Sequence, residues 1–293
     1  MAQLTQLRRK IQAVNTTKKI THAIRLVSMA SYSKLEKQAI FLKSYKNSID
    51  QTFAQLLKPK PEWTSNTLFP GDVFDQSPLI IVISSTKGLC GSFNANLIRF
   101  IEKKLIFEKN QSPKFITIGT KAKREIESKN IGNIILNFEE FNFNNFETIG
   151  SKIIENIYTQ DIPYSSVYFY SNKLINFFVQ KPQQTTLIPA KLEFNSQENS
   201  QDNNNNNNNN IFDPIYEQDQ KVILDFMAHK YIKSTILETL FQSLLSENAA
   251  RFLAMDSSNT NAEKFLDKLT LQYNKSRQAL ITKEVSELCA NME

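Results

Sequence analysis

The chain has 293 residues, of which 41% are hydrophobic and 22% charged, a balance that supports a buried core and argues against global disorder. Its net charge of +6 is concentrated in residues 1–58, where eleven Lys and Arg side chains stand against only Glu36 and Asp50. Such a basic arm favours an acidic partner, whether nucleic acid, a membrane surface or an acidic protein loop. The sequence holds no apolar run of about 18 residues, the length that predicts a membrane-spanning helix.

Long helices are predicted at both ends of the chain. All six glycines and all nine prolines lie between Pro59 and Pro214, and both residue types disfavour the interior of a helix. In the first segment, apolar residues recur at steps of three and four, with a polar break at residues 16–19. These apolar residues are Leu4, Leu7, Ile11, Val14, Ile20, Ile24, Val27, Leu35, Ala39, Leu42, Ile49, Phe53 and Leu56. The matching residues of the last segment are Ala262, Leu266, Leu269, Tyr273 and Leu280. Stripes this narrow predict a two-stranded coiled coil.

Strands and helices alternate between the two ends. The predicted strands are 78–85, 114–119, 133–138 and 167–170, with a further one at 176–181, and the predicted helices are 94–110, 120–129 and 146–158. Alternation with short links predicts a mostly parallel α/β sheet. The unbroken asparagine tract 203–210 has the composition of a disordered surface loop.

The predicted fold class is therefore α/β, with a long antiparallel coiled coil of the N- and C-terminal helices flanking a small central Rossmann-like α/β domain. The predicted domains are an N-terminal coiled-coil helix at 1–58, the α/β domain at 59–194, a disordered Asn-rich loop at 195–214, and a C-terminal coiled-coil helix at 215–293.

The turn after the first predicted strand has two interpretations. It leads into a helix, which is where phosphate-binding loops lie, but it holds a single Gly-x-x-Gly at Gly88 and Gly91 instead of a P-loop or dinucleotide spacing. A tight turn is favoured, with a nucleotide site as the alternative. Cys90 is interpreted as a structural thiol, with a nucleophile as the alternative, because no histidine lies nearby in sequence. The sequence predicts no catalytic residue, no cofactor and no metal site.

Three stretches resemble the gamma subunit of F-type ATP synthases. They are LRRKIQAVNTTKKITHAIRLVSMAS from Leu7, GLCGSFNANL from Gly88, and LSENAARFLAMDSSNTNAEKFLDKLTLQYNKSRQALITKEVSEL from Leu245. They stand at the start, middle and end of the chain in the family's order. The resemblance therefore covers the whole length except the divergent region from about Gln183 to Pro214.

The resemblance implies a mechanical function. Gamma subunits form the non-catalytic rotor shaft that couples proton flow to ATP synthesis and hydrolysis, and they influence regulation of the ATPase. The implied partners are the alpha and beta subunits, the epsilon subunit and the membrane c-ring. Membrane association is then indirect, through the c-ring, and no nucleic acid is involved.

The resemblance implies partner-contact residues at matching positions, namely Ile24, Arg251, Gln278 and Thr282. Lys18, Lys19 and Arg25 are predicted to join them and to face acidic loops of the alpha–beta hexamer, because they lie in or next to the polar break of the stripe. Ile24 matches a position that the family usually fills with Met and that faces an acidic beta-subunit loop. Arg251 and Gln278 match positions that contact beta-subunit loops. Asp256 stands where the family usually has a basic residue.

Two alternative functions come from other classes. The basic helices suit a helical hairpin that binds nucleic acid, but such arms usually interleave aromatic residues, and Tyr32 is the only one in residues 1–40. An enzyme built on the α/β domain is the other alternative, and the incomplete glycine loop argues against it.

The location is predicted to be the cytoplasmic side of a bacterial inner membrane. The alternative is the matrix side of the mitochondrial inner membrane, because the Arg-rich, acid-poor start resembles a transit peptide. The bacterial location is favoured because the apolar stripe already begins at Leu4, which leaves no room for a removable leader.

Overall fold

The computed structural model describes residues 2–57, 63–65, 67–70, 77–107, 113–159, 164–190 and 217–290. In chain order, the helices and strands of these ranges are α1 (Ala2–Leu57), β1 (Leu79–Ile83), α2 (Phe93–Phe107), β2 (Lys114–Ile118), α3 (Thr120–Lys129), β3 (Asn133–Phe138), α4 (Phe146–Tyr158), β4 (Val167–Asn176), β5 (Val179–Ile188) and α5 (Gln220–Ala290). The expected fold class is confirmed: long terminal helices flank, in sequence, a central and mostly parallel sheet.

The two terminal helices are uninterrupted, as their lack of glycine and proline predicts. The first has 56 residues and the last has 71. Asp219 caps the start of α5, since its carboxylate accepts the backbone N–H of Lys221 at 3.1 Å.

The sheet has five strands in the order β3-β2-β1-β4-β5. The first four run parallel, and β5 pairs antiparallel to β4. The end of the sheet differs from the prediction, because β4 extends to Asn176 and β5 runs from Val179 to Ile188, so that the two form a hairpin. Polar residues such as Lys173 and Gln183 hid these extensions from a search for apolar runs. Pro182 is tolerated because β5 is an edge strand.

The core is built on β1, all five residues of which are buried. Ile80 and Val82 pack with residues of α2 and α3 in one apolar cluster that also holds Phe115 of β2. Leu79, Ile81 and Ile83 alternate with them and are equally buried, so both faces of the strand are covered. Burial on both faces explains why β1 reads as the continuous apolar run LIIVI.

Polar side chains fix the connections that follow β1. The hydroxyl of Ser84 donates to the carbonyl oxygen of Ile118 at 3.0 Å and accepts the backbone N–H of Ala122 at 2.9 Å. The side-chain amide of Asn94 donates to the Ser85 hydroxyl at 2.7 Å, and its oxygen accepts the Ser85 N–H at 3.1 Å. These bonds hold both ends of the turn between β1 and α2.

The chain divides into two compact units. The first comprises Met1–Lys34, Gly88–Phe93 and Glu247–Glu293, and the second comprises Leu35–Lys87 and Asn94–Ser246. Each unit therefore contains part of both long helices. The four domains predicted from sequence remain a prediction, and the Asn-rich segment among them lies outside the described residues.

Candidate partner-binding surface on the paired helices

In the first unit, α1 carries a stripe of buried and half-buried residues at alternating steps of three and four. The stripe consists of Leu4, Leu7, Ile11, Val14, Lys18, Thr21, Arg25, Ser28 and Tyr32. The matching stripe of α5 consists of Met255, Asn259, Ala262, Leu266, Leu269, Tyr273, Ser276 and Leu280. Alternation of three and four is the spacing of coiled-coil a and d positions. The stripe predicted for α5 is therefore confirmed by its burial.

The prediction for α1 is wrong at two of its positions. Ile20 is 54% exposed and Val27 is 66% exposed, so neither belongs to the buried stripe. The stripe keeps the phase set by Leu4 to Val14 and passes through Lys18 and Arg25 instead. Apolarity led the prediction to restart the stripe at Ile20, whereas the phase of the heptad is what the structure preserves.

Two ion pairs join the helices where the stripe is polar. The Nζ atom of Lys18 lies 2.7 Å from Oε1 of Glu263, and Nη1 of Arg25 lies 2.6 Å from Oδ1 of Asp256. A step of seven residues forward on α1 corresponds to a step of seven backward on α5, so the helices run antiparallel. All four side chains remain partly exposed, and such pairs contribute roughly 0.2–1 kcal/mol each.

Buried hydroxyls occupy the other polar positions of the stripe. Thr21 donates to the backbone carbonyl of Lys18 at 3.0 Å, and Ser28 donates to that of Ile24 at 2.8 Å. These bonds satisfy the hydroxyls within α1 itself. In this part of the helix pair, the two ion pairs therefore join the helices, and the buried hydroxyls add no hydrogen bond between them.

The predicted contact residues on the two helices differ in what they already contact. Lys18 and Arg25 form the ion pairs just described, whereas Lys19 is exposed and Ile24 is half-buried. Gln278 and Thr282 are both exposed, and the Thr282 hydroxyl donates to the Gln278 carbonyl at 2.9 Å. The hydrogen bond to Lys18 holds the pKa of Glu263 below its usual value.

Arg251 is turned toward its own chain. Its Nη2 donates to Oε1 of Glu247, one turn earlier on α5, and its Nε donates to the carbonyl oxygen of Gly88 at 3.4 Å. Both charged side chains are largely buried. Arg251 therefore ties the turn that begins at Gly88 to the helix.

The same turn packs on α5 through small residues. Cys90 is buried in a cluster with Phe93 and Ala250, and a Cβ placed on Gly91 would lie 3.5 Å from the Cβ of Ala254. Gly91 has a φ of 58°, a conformation that favours glycine. The geometry supports the favoured interpretations, a tight turn and a structural thiol.

Asp256, Glu263 and Glu247 are the charged partners that sequence reasoning missed. The signal for the first two was available, because both the Lys18–Arg25 and the Asp256–Glu263 spacings equal one heptad. Glu247 and Arg251 have the i, i+4 spacing of a helical ion pair. None of the helices in the described ranges is long and apolar enough to cross a membrane.

Comparison with known proteins identifies the family. A family model described as ATP synthase matches residues 3–293. The ATP synthase gamma chain of Pelagibacter ubique is 30% identical, over 100% of this chain and 99% of the relative. The chain belongs to the ATP synthase gamma-chain family. The gamma chain of Herminiimonas arsenicoxydans is 31% identical over 99% of this chain and 98% of its own length.

Chains in solved structures of ATP synthases share the fold. The rotor of the Euglena gracilis mitochondrial ATP synthase matches with a TM-score of 0.65 at 18% identity, covering 96% of this chain and 99% of that chain. A second Euglena structure, described as OSCP/F1/c-ring, matches with a TM-score of 0.67 at 17% identity, covering 99% of this chain and 94% of that chain. The expectation of a gamma subunit is confirmed, and none of these matches favours the nucleic-acid alternative.

Proposed function

We propose that the chain is the central rotor shaft of a proton-translocating F-type ATP synthase, which couples proton flow to ATP synthesis and hydrolysis on partner subunits. The observation that carries the proposal is the outward-facing surface of the two helices in the first unit. The large exposed apolar residues of this surface are Ile20, Leu26, Val27 and Met29 on α1, and Phe265, Leu271, Ile281, Val285 and Leu288 on α5.

An isolated helix pair would bury its apolar residues in the seam and expose its polar ones, and part of this helix pair does the opposite. Polar residues fill part of the seam, whereas Val27 and its apolar neighbours face outward. The four exposed apolar residues of α1 lie within residues 20–29, and such a cluster of exposed apolar side chains is typical of a surface that a partner covers. In an ATP synthase, that partner is the ring of alternating alpha and beta subunits.

The seven contact residues fall into two groups under this proposal. Lys19, Ile24, Gln278 and Thr282 are at least partly exposed, so they contact alpha and beta subunits directly. Lys18, Arg25 and Arg251 already pair with carboxylates of their own chain. A contact between one of these three residues and a partner subunit would therefore be made in addition to, or in exchange for, its ion pair within the chain.

Rotation of the shaft is thermodynamically linked to the nucleotide affinity of the beta subunits. An orientation of the shaft changes the nucleotide affinity of a beta subunit only if its contacts differ between beta-subunit conformations. The mixed surface of α1, basic at Lys19 and apolar at Val27, supplies contacts that vary around the helix. The chain itself is non-catalytic and needs no cofactor.

The remaining partners are the epsilon subunit and the c-ring, and the chain also influences regulation of the ATPase. Its association with the membrane is indirect, through the c-ring. The location is the cytoplasmic side of a bacterial inner membrane, which the bacterial source of the gamma chains compared above supports. The matrix side of a mitochondrial inner membrane is the second candidate, favoured by the Euglena structures.

A reversible crosslink tests the rotor proposal. Val27→Cys places a thiol on an exposed site of α1, in a chain where Cys90→Ala and Cys289→Ser remove the native thiols. A second cysteine is placed on the facing surface of the beta subunit in the assembled complex. Oxidation is expected to abolish ATP hydrolysis, and reduction is expected to restore it, because a shaft bonded to the ring cannot turn.

Leu288→Cys provides the matched control, since Leu288 is equally exposed but lies two residues before Ala290, the last described residue of α5. A bond there is expected to leave more activity, because a few terminal residues can unwind and swivel. Full hydrolysis by a complex completely crosslinked at Val27→Cys would show that the chain does not rotate.

A further inference from the structure

The hairpin between β4 and β5 ends in an ordered turn. Oδ1 of Asn176 accepts the backbone N–H groups of Phe178 at 3.0 Å and Val179 at 2.9 Å. The side-chain amide of Gln180 donates to the carbonyl oxygen of Phe177 at 2.8 Å. Residues 173–181, called here the hairpin tip, therefore have a defined conformation.

The hairpin tip exposes large apolar side chains. Phe178 is 73% exposed and Ile175 is 58% exposed, and Val179 beside them is also exposed. The ring of Phe177 packs edge-on against Phe178 with centroids 5.4 Å apart. At the opposite end of β5, Leu187 and Ile188 are buried in the core. The exposed side chains of Ile175, Phe178 and Val179 are thus not part of the buried core.

Two lysines stand directly opposite each other at the base of the tip. Lys173 of β4 pairs in register with Lys181 of β5, and both side chains are exposed. Among the described residues, neither lysine forms an ion pair. Like charges directly across an antiparallel pair lower its stability. The hairpin therefore retains an unfavourable charge pair beside an exposed apolar cluster.

We propose that the hairpin tip is a docking surface for an acidic segment of a partner protein. Carboxylates of the partner segment pair with Lys173 and Lys181. An apolar pocket of the partner, lying between those carboxylates, receives Phe178. An exposed aromatic anchor held on a rigid turn is suited to such a pocket, because little conformational freedom is lost on binding. The proposal rests on the proposed function in one respect, namely that the partner is a subunit of the assembled ATP synthase.

A protein fits these features better than a lipid surface. Two lysines and three exposed apolar side chains would bind a bilayer only weakly, because stable membrane anchoring takes a lipid chain or a larger cluster of basic residues. Addition of a partner strand is also disfavoured where Pro182 interrupts the edge of β5, since proline has no N–H to donate. Recognition is therefore assigned to the side chains of the tip.

Lys173→Glu separates docking from folding. It replaces the like-charge pair with an opposite-charge pair to Lys181, so the melting temperature of the isolated chain is expected to stay the same or rise. Binding to the partner is expected to weaken at least tenfold. Phe178→Ser is expected to weaken the same interaction at least tenfold.

The measurement is the Kd of the purified full-length chain for the alpha–beta hexamer, for epsilon, for detergent-solubilised c-ring and for vesicles containing phosphatidylglycerol, each separately. Lys103→Glu and Phe226→Ser are the matched controls, since both residues are exposed and lie on helices α2 and α5, outside the hairpin. These controls are expected to bind every component as the unmodified chain does.

Weakened binding to one protein component, with vesicle binding unchanged, supports the proposal. Kd values within twofold for every protein component, or a loss seen only with vesicles, would overturn it. The rotor proposal is judged separately by the Val27→Cys crosslink, whose outcome does not depend on the hairpin tip.

Discussion

The sheet of the second unit and the paired helices of the first are stabilised in different ways. In the sheet, Ile80, Val82 and Phe115 are completely buried in an apolar cluster. In the helix pair, Lys18 and Arg25 occupy stripe positions and meet carboxylates of α5. Completely burying one large apolar side chain contributes about 1.5–3 kcal/mol, which exceeds the value of one partly exposed ion pair.

The contrast teaches where each region obtains its stability and its specificity. The sheet is completed by residues of its own chain. The helix pair instead aligns its helices through charges spaced by one heptad and leaves Val27 and other apolar residues outside. Alignment without a fully apolar seam suits an element whose remaining apolar surface is reserved for partners.

The largest effect expected from this contrast is on the sheet. Phe115→Ala removes a completely buried ring and should lower the free energy of unfolding by about 3–5 kcal/mol. Val27→Ala on α1 is the control and should change it by less than about 0.5 kcal/mol, because Val27 is exposed. Urea denaturation of the isolated chain measures both. Equal losses from the two substitutions would remove the distinction between the regions.

The sequence predicted the buried strands and long helices well, but it predicted the face of α1 that meets α5 less well. Local sequence is enough for the former, whereas the latter depends on contacts between distant residues. Continuous apolar runs such as LIIVI, and the absence of glycine and proline from the ends, identify buried strands and long helices. The contacts of Lys18 and Arg25 depend on which face of α1 meets α5. The heptad phase of the whole stripe determines which face of α1 meets α5. Ile20 and Val27 are apolar but lie off this phase, so including them in the stripe predicted the wrong face.

A smaller effect is expected when charge register in the helix pair is broken. Asp256→Lys puts a second cation opposite Arg25 and should lower the free energy of unfolding by about 1 kcal/mol or less. The loss should shrink at high salt, because the pair is partly exposed. Asp267→Lys, at an exposed site of the same helix without an ion pair to α1 in the described residues, is the matched control.

The exchanged pair, Arg25→Asp with Asp256→Arg, should recover most of the stability lost in either of its two single substitutions. A double-mutant cycle on the free energies of unfolding measures the coupling between the two sites. Zero coupling at low salt would mean that this ion pair does not set the register.

The smallest expected effect is a pH dependence that arises from the Lys18–Glu263 pair. The hydrogen bond and charge of Lys18 lower the pKa of Glu263 in the folded chain relative to the unfolded one. A carboxylate with a lowered folded pKa contributes stability above its unfolded pKa, near 4.3 for Glu, and loses it as the pH falls through the folded pKa. Carbon-13 NMR titration of the Glu263 carboxyl in the full chain should therefore give a pKa below the ordinary Glu value. Lys18→Met should return the pKa toward that value, whereas Lys19→Met, at the adjacent exposed site, should leave it lowered. A Glu263 pKa that is the same with and without Lys18 would show that the pair is not formed in solution, and the seam would then be polar without being aligned by this charge.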